Sequence, residues 1–97
     1  MSVSCEIHFQ EGFAGESVTV AVDGKQRAKF VVRTRLQTGL ARMEAVKVDP
    51  GQVVSIEVPS LSAREEFRVG PKDHWLSVNL VSNSLQVRSE PSMPGYL

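Results

Sequence analysis

The chain alternates apolar and polar residues in short runs that end at glycine, proline or aspartate. In the first run, Val3 to Phe9, the apolar residues occupy odd positions. Two further runs, at 16–22 and 25–36, flank Asp23-Gly24. Alternation with period two, in segments rich in β-branched residues, predicts half-buried strands. Asp-Gly between two such runs predicts a β-hairpin.

The length of this hairpin's turn follows from the parity of its apolar residues. In both runs these occupy even positions: Val18, Val20, Val22, Ala28, Phe30 and Val32. A two-residue turn would place Val22 opposite Lys25, and a one-residue slip moves every side chain to the other face of a strand. We therefore predict a three-residue turn, Val22 to Gly24, with Gly24 in the left-handed conformation.

The remaining runs predict strands at about 42–48, 53–58 and 61–69, followed by a hairpin around 82–84. Pro59 should end the fifth strand, because proline has no N–H to give to a strand ladder. The segment 62–66 also fits a short helical turn, although we favour a strand there. Residues 37–40 break the alternation and are expected to carry the chain from one sheet to the other.

Seven or eight strands with no long helix predict an all-β fold, an antiparallel two-sheet sandwich. Immunoglobulin-like and transthyretin-like domains share this architecture, but the chain carries no residue motif of either family. A length of 97 residues fits one domain, which we assign to 1–97 with a C-terminal tail at 91–97.

The composition narrows the classes of function. With 41% apolar residues and 23% charged residues, the chain has the balance of a globular protein. The formal net charge is zero, so no overall field draws the protein to nucleic acid or an anionic membrane. Cys5 is the only cysteine, which excludes an intrachain disulfide. No signal-peptide pattern and no apolar stretch of membrane-spanning length are found, so we expect a cytoplasmic protein.

A row of positive charge follows the hairpin turn. Its members are Lys25, Arg27, Lys29, Arg33 and Arg35. On a regular strand these odd positions share one face, at spacings of roughly 6–7 Å. Such a row suits phosphates or carboxylates of an anionic ligand. It is equally typical of a solvated face, of a face paired with acidic neighbours, or of a protected edge strand. Nucleic acid is disfavoured because no aromatic residues interleave for base stacking.

The aromatic residues Trp75, Phe13 and Tyr96 offer a second binding hypothesis. Trp75 lies opposite the apolar set of its strand, so we expect it to be partly exposed. Together the three rings would form a patch for sugar rings or a protein partner, or would cap one end of the sandwich. The segment 88–94 also fits a basic-x-x-Pro-x-x-Pro ligand, with a tail folded onto the domain as the alternative.

No residue constellation for catalysis or metal binding is complete. Cys5 lies in an apolar set and is expected to be an inert core thiol. Glu6 and His8 share a strand face and could supply half a metal site, but we interpret them as a solvated polar face. Asp73-His74, with Ser77 nearby, is the only hint of a hydrolase. We therefore predict no enzyme activity, no cofactor and no metal.

The favoured hypothesis is a non-enzymatic interaction or assembly module. It would bind a protein partner or associate with itself, for example as a homodimer, through an edge strand or the tail. The alternative is a module that binds an anionic ligand or polysaccharide through the basic face of 25–35 or around Trp75. A small hydrolase or metal-dependent enzyme is the weakest of the three hypotheses.

Overall fold

The computed structural model describes residues 2–34, 41–72 and 74–90, with side chains as far as residue 89. These residues form eight strands and one short 3₁₀ turn, Pro59–Leu61. The strands are β1 Val3–Phe9, β2 Ala14–Val22, β3 Lys25–Arg33, β4 Arg42–Val48, β5 Val53–Val58, β6 Ala63–Arg68, β7 His74–Val81 and β8 Ser84–Glu90. The predicted strands 42–48 and 53–58 are confirmed. Within this part of the chain no helix has the length and apolar character to cross a membrane.

The strands form two four-stranded sheets, in the orders β4-β1-β7-β8 and β3-β2-β5-β6. Every neighbouring pair is antiparallel except β1 and β7, which run parallel. The predicted all-β sandwich is therefore confirmed. β3 and β4 lie in different sheets, as the predicted crossing requires, although residues 35–40 lie outside the described part of the chain.

The core lies between the sheets and is built from the apolar positions of the alternating pattern. Cys5, Ile7 and Phe9 of β1 are fully buried. The ring of Phe9 makes edge contacts with Phe13 at 5.7 Å and with Phe30 at 5.4 Å between ring centroids. Phe13 is itself buried, which excludes it from an exposed aromatic patch, one of the two alternatives for the aromatic residues. Edge contacts between aromatic rings add to the energy of area burial, which favours this position in the core.

The β2–β3 hairpin has a two-residue turn, so the predicted three-residue turn was wrong. Val22 lies directly opposite Lys25. The turn residues Asp23 and Gly24 both have positive φ, 49° and 82°, as a type I′ turn requires. Asp23 tolerates this conformation because its carboxylate accepts hydrogen bonds from the Val53 N–H at 2.9 Å and from the Gln52 side chain at 3.2 Å.

A β-bulge in β3 returns its even-numbered residues to the core face. With the two-residue turn alone, these residues would point outward. Gln26 lies opposite Ala21, but the next pair joins Ala28 to Val20, so Arg27 is an additional residue on β3. A bulge places two residues against one on the partner strand. Beyond Arg27 the even positions of β3 face the core, where Val32 is fully buried.

The segment after β5 contains a 3₁₀ turn followed by a strand. Pro59 ends β5 as predicted, and the 3₁₀ turn Pro59–Leu61 follows it. Ser62 then adopts a left-handed conformation with φ 52°, and its N–H donates to the Pro59 carbonyl at 3.1 Å. The favoured strand is confirmed as β6, whereas the helical turn precedes residues 62–66 instead of including them.

Candidate functional site: the edges of the two sheets

The basic residues of β3 do not form one row, because the bulge separates them. Lys25 shares a face with its partner Val22, on the core side at the end of the sheet. Lys29 lies opposite Thr19 and points outward, as does Arg33 opposite Ala14. Arg35 lies outside the described residues. The single face predicted for a regular strand is therefore replaced by at least two separate groups.

Arg27, the bulge residue, contacts the other sheet. Its Nη1 donates a hydrogen bond to the carbonyl oxygen of Lys47 on β4, at 3.3 Å. β3 and β4 are both edge strands, so this bond crosses the open side of the sandwich between them. The additional residue thus places a guanidinium against the outer backbone of β4, where it occupies a carbonyl that a foreign strand would need.

Arg42 closes the same side of the sandwich. Its guanidinium carbon lies 4.2 Å from the centre of the Phe30 ring, and its Nη2 lies 3.8 Å from Glu44 Oε1. An exposed cation–π contact contributes about 0.5–1 kcal/mol. The surface ion pair adds little to this, because it is long and screened by solvent. Two arginines therefore bridge the edges β3 and β4.

The outward charges of β3 have no acidic partner in the described part of the chain. Among the described residues, neither Lys29 nor Arg33 makes an ion pair. Val31, which lies between them on the same face, is 64% exposed. This arrangement leaves two cations and an apolar side chain free on the outer face at the β3 edge.

The opposite side of the sandwich is formed by the edges β6 and β8. Charged residues fill β6, where Arg64 pairs with Glu66 at 3.0 Å. Glu65 lies opposite the buried Ile56 and so has its side chain on the core side of the edge. An inward charge of this kind discourages pairing with another strand. A shallow groove separates Glu65 from β8. It is lined by Asn79 of β7 and by Leu85, Gln86, Val87 and Arg88 of β8.

β8 differs from the other three edges in its side chains. It carries two charged residues, Arg88 and Glu90, fewer than any other edge strand, and Leu85 is buried against the core. Its hairpin with β7 closes at the pair Val81 and Ser84 around a two-residue turn with positive φ at both positions. The hairpin predicted around 82–84 is confirmed.

Trp75 is half-buried on the outer face of its sheet, as the alternation predicts. It lies beside Glu6 of β1. Tyr96 lies outside the described residues, and Phe13 belongs to the core. Of the three aromatic residues proposed for a patch, the structure therefore places only Trp75 on the surface.

His8 is fully buried, so the predicted solvated polar face was wrong for this residue. Its Nε2 lies 2.7 Å from Glu6 Oε1. The parallel pairing of β1 and β7 also brings Ser77 beside His8, a neighbour that no local sequence pattern predicts. Ser77 is 4% exposed, and its Oγ accepts a hydrogen bond from Gln10 Nε2 at 3.4 Å. A serine, a histidine and a glutamate are thus neighbours here, with His8 and Ser77 buried and the Glu6 side chain 27% exposed.

The His74 side chain binds the backbone of the loop between β6 and β7. The backbone N–H of Gly70 donates to His74 Nε2 at 2.9 Å, and the imidazole makes an edge contact with Phe67 at 4.9 Å. The accepting nitrogen is therefore engaged by the backbone, while Asp73 lies outside the described residues. No group of three metal-binding side chains occurs in the described ranges. Burial raises the pKa of the Cys5 thiol to about 11, which makes it a poor nucleophile.

A comparison of folds finds a similar solved structure, whereas the comparisons of sequence find no match. No protein-family model and no curated protein matches this chain. Among solved structures, the crystal structure of the T6SS lipoprotein TssJ1 from Pseudomonas aeruginosa is similar, with a TM-score of 0.58 and 12% sequence identity. The match covers 95% of this chain and 98% of that one. At this identity the likeness is one of fold.

Proposed function

We propose that this chain is a non-enzymatic interaction or assembly module that binds protein through an edge of its sandwich. The observation that carries the proposal is the contrast between β8 and the other edges. β3, β4 and β6 carry four, three and four charged residues, whereas β8 carries two, Arg88 and Glu90. An edge strand with few charges offers its outward N–H and C=O groups as a template for another strand.

The chemistry of the candidate catalytic groups also supports a binding role. His74 accepts a backbone hydrogen bond, His8 is buried beside Glu6, and the Cys5 thiol is buried in the core. Each group therefore has a structural use in the described part of the chain. The similarity of its fold to that of the T6SS lipoprotein TssJ1 is compatible with the same role.

Photo-crosslinking in the native cell tests this proposal. A photoreactive amino acid is placed at Gln86 on the β8 edge, and at Gln26 on the outer face of the other sheet as the matched control. Both positions are exposed glutamines. We expect a defined crosslinked protein band from Gln86 and a weaker band or none from Gln26. The absence of any protein crosslink from the edge position would overturn the proposal.

A second candidate function is recognition of an anionic ligand or polysaccharide at the β3 edge. It is favoured by one observation, the lack of acidic partners for Lys29 and Arg33. Salt-sensitive binding to heparin should then be lost in a Lys29→Glu, Arg33→Glu variant. Reversal of Arg64, which is already paired with Glu66, provides the control. Equal binding by wild type and the double variant would exclude this candidate.

We propose the cytoplasm as the compartment, supported by the single buried cysteine, which allows no intrachain disulfide. Cell fractionation tests this proposal. Recovery of the protein with the membrane fraction would contradict it.

A further inference from the structure

We infer that two copies of this chain associate through β8, by antiparallel pairing of one β8 strand with the β8 strand of a second copy. This inference rests on the proposed function and names the partner and the edge. The protection of the other edges supports it. Arg27 occupies a β4 carbonyl, β3 carries four cations, and β6 carries an inward glutamate. Self-pairing of β3 would bring like charges together, which destabilises neighbouring strands.

The backbone of β8 determines which groups are free to pair. The residues that flank a two-residue hairpin turn, here Val81 and Ser84, form a hydrogen-bonded pair. Hydrogen-bonded and non-hydrogen-bonded pairs alternate along an antiparallel ladder. Ser84, Gln86 and Arg88 therefore direct their N–H and C=O groups to β7. Leu85, Val87 and Ser89 direct theirs away from β7, to the side of β8 that pairs with no other described strand.

The length of β8 determines the register. In the strand Ser84–Glu90, Val87 is the middle residue. Full overlap of two antiparallel copies then places Val87 opposite Val87 of the second copy, on the two-fold axis. Leu85 lies opposite Ser89, so every outward backbone group meets an outward group. This register gives about six hydrogen bonds between the copies.

The side chains in this register are compatible. Gln86 lies opposite Arg88 of the second copy, and both are exposed on the outer face. An amide opposite a guanidinium carries no repulsion, and the formal net charge of zero adds no long-range barrier.

Glu65 is the charge that opposes this association. It lines the groove beside Leu85 and Val87, so the two copies of this carboxylate approach the seam from the core side. Burial of an unpaired carboxylate is unfavourable, and we expect a reversible dimer for this reason. Glu65→Gln should tighten it by about threefold or more, because the amide keeps the shape and removes the charge.

The register is tested by paired substitutions at one exposed position, with sedimentation equilibrium of the purified full chain as the measurement. Gln86→Lys places a lysine opposite Arg88 twice in the dimer, and we expect dissociation to be about fivefold easier. Gln86→Glu places a carboxylate there instead and should tighten the dimer by a similar factor. The same two substitutions at Gln26, on β3, are the controls and should change nothing. Circular dichroism verifies that each variant is folded.

The outcomes separate this inference from the proposed function. A wild-type chain that stays a 10.7 kDa monomer at millimolar concentration would overturn the β8 dimer. So would a dimer that responds equally to Gln86→Lys and Gln86→Glu. If such a monomer still forms a crosslink from Gln86 to another protein in cells, the dimer is excluded but the interaction module is retained. If neither association is seen, both proposals fail.

Discussion

Val22 lies directly opposite Lys25, so a buried valine and an exposed lysine close the β2–β3 hairpin on the same face. This pairing follows from the two-residue turn, which matches the twist of the flanking strands. The short turn shifts the apolar positions of β3 to the wrong face, and the bulge at Arg27, two residues after Lys25, corrects this shift. The bulge in turn directs Arg27 toward the Lys47 carbonyl of the other sheet. The two-residue turn therefore leads, through the bulge, to the protection of the β4 edge by Arg27.

The bulge predicts that two neighbouring deletions have different effects. Deletion of Arg27 leaves Ala28 opposite Val20 and Lys29 opposite Thr19, so the core is kept and we expect a loss of about 1 kcal/mol. Deletion of Lys29 either moves Phe30 out of the core or brings Arg27 into the place of Ala28. That variant should lose about 3 kcal/mol or more. Urea unfolding of both variants measures the difference. Equal losses would show that the strand has no fixed bulge.

Substitution of two glycines with positive φ distinguishes the effect of backbone strain from the effect of a steric clash. Gly12 has φ 92°, and a Cβ there would overlap the Leu80 carbonyl, whereas Gly24 has φ 82° and open space around it. Gly24→Ala should cost about 1–2 kcal/mol, the strain of a left-handed alanine. Gly12→Ala adds displacement of the β7 backbone, and we expect at least twice that loss. Thermal unfolding compares the two, and a smaller effect at Gly12 would contradict the close approach.

The buried Cys5 thiol predicts a loss of stability at high pH. Burial raises its pKa from 9.0 to about 11. Below pH 9 the thiol is neutral in both the folded and the unfolded state and makes no contribution. Between pH 9 and 11 the unfolded state ionises first, so the free energy of unfolding falls by up to about 1.4 kcal/mol per pH unit. Urea titrations at pH 8, 9 and 10 measure this slope.

Cys5→Ala is the control for that pH dependence. The alanine leaves a small cavity and should cost stability at every pH, but the part of the slope above pH 9 that belongs to the thiol should vanish. A slope identical to that of the wild type would assign the effect to groups other than the thiol.

Alternation in the sequence was sufficient to predict the strands, since one buried face imposes period two on residues such as Val18, Val20 and Val22. It was not sufficient for the hairpin turn. The positions of the apolar residues show that one extra residue lies between the two runs. They do not show whether that residue lies in the turn or, like Arg27, within the strand. Alternation also says nothing about which strands are outermost. The burial of His8 and its proximity to Ser77 depend on parallel pairing between distant strands, which no local pattern encodes.

The central claim is that β8 pairs with β8 of a second copy about Val87, and a disulfide at that position tests it most directly. Hydrogen-bonded antiparallel residues have Cα atoms about 5.5 Å apart, which lies within the range of a disulfide. In a Cys5→Ala background, Val87→Cys should therefore form a covalent dimer under mild oxidation, while Gln26→Cys stays monomeric. A covalent dimer from Val87→Cys that forms no faster than one from Gln26→Cys would contradict the claim.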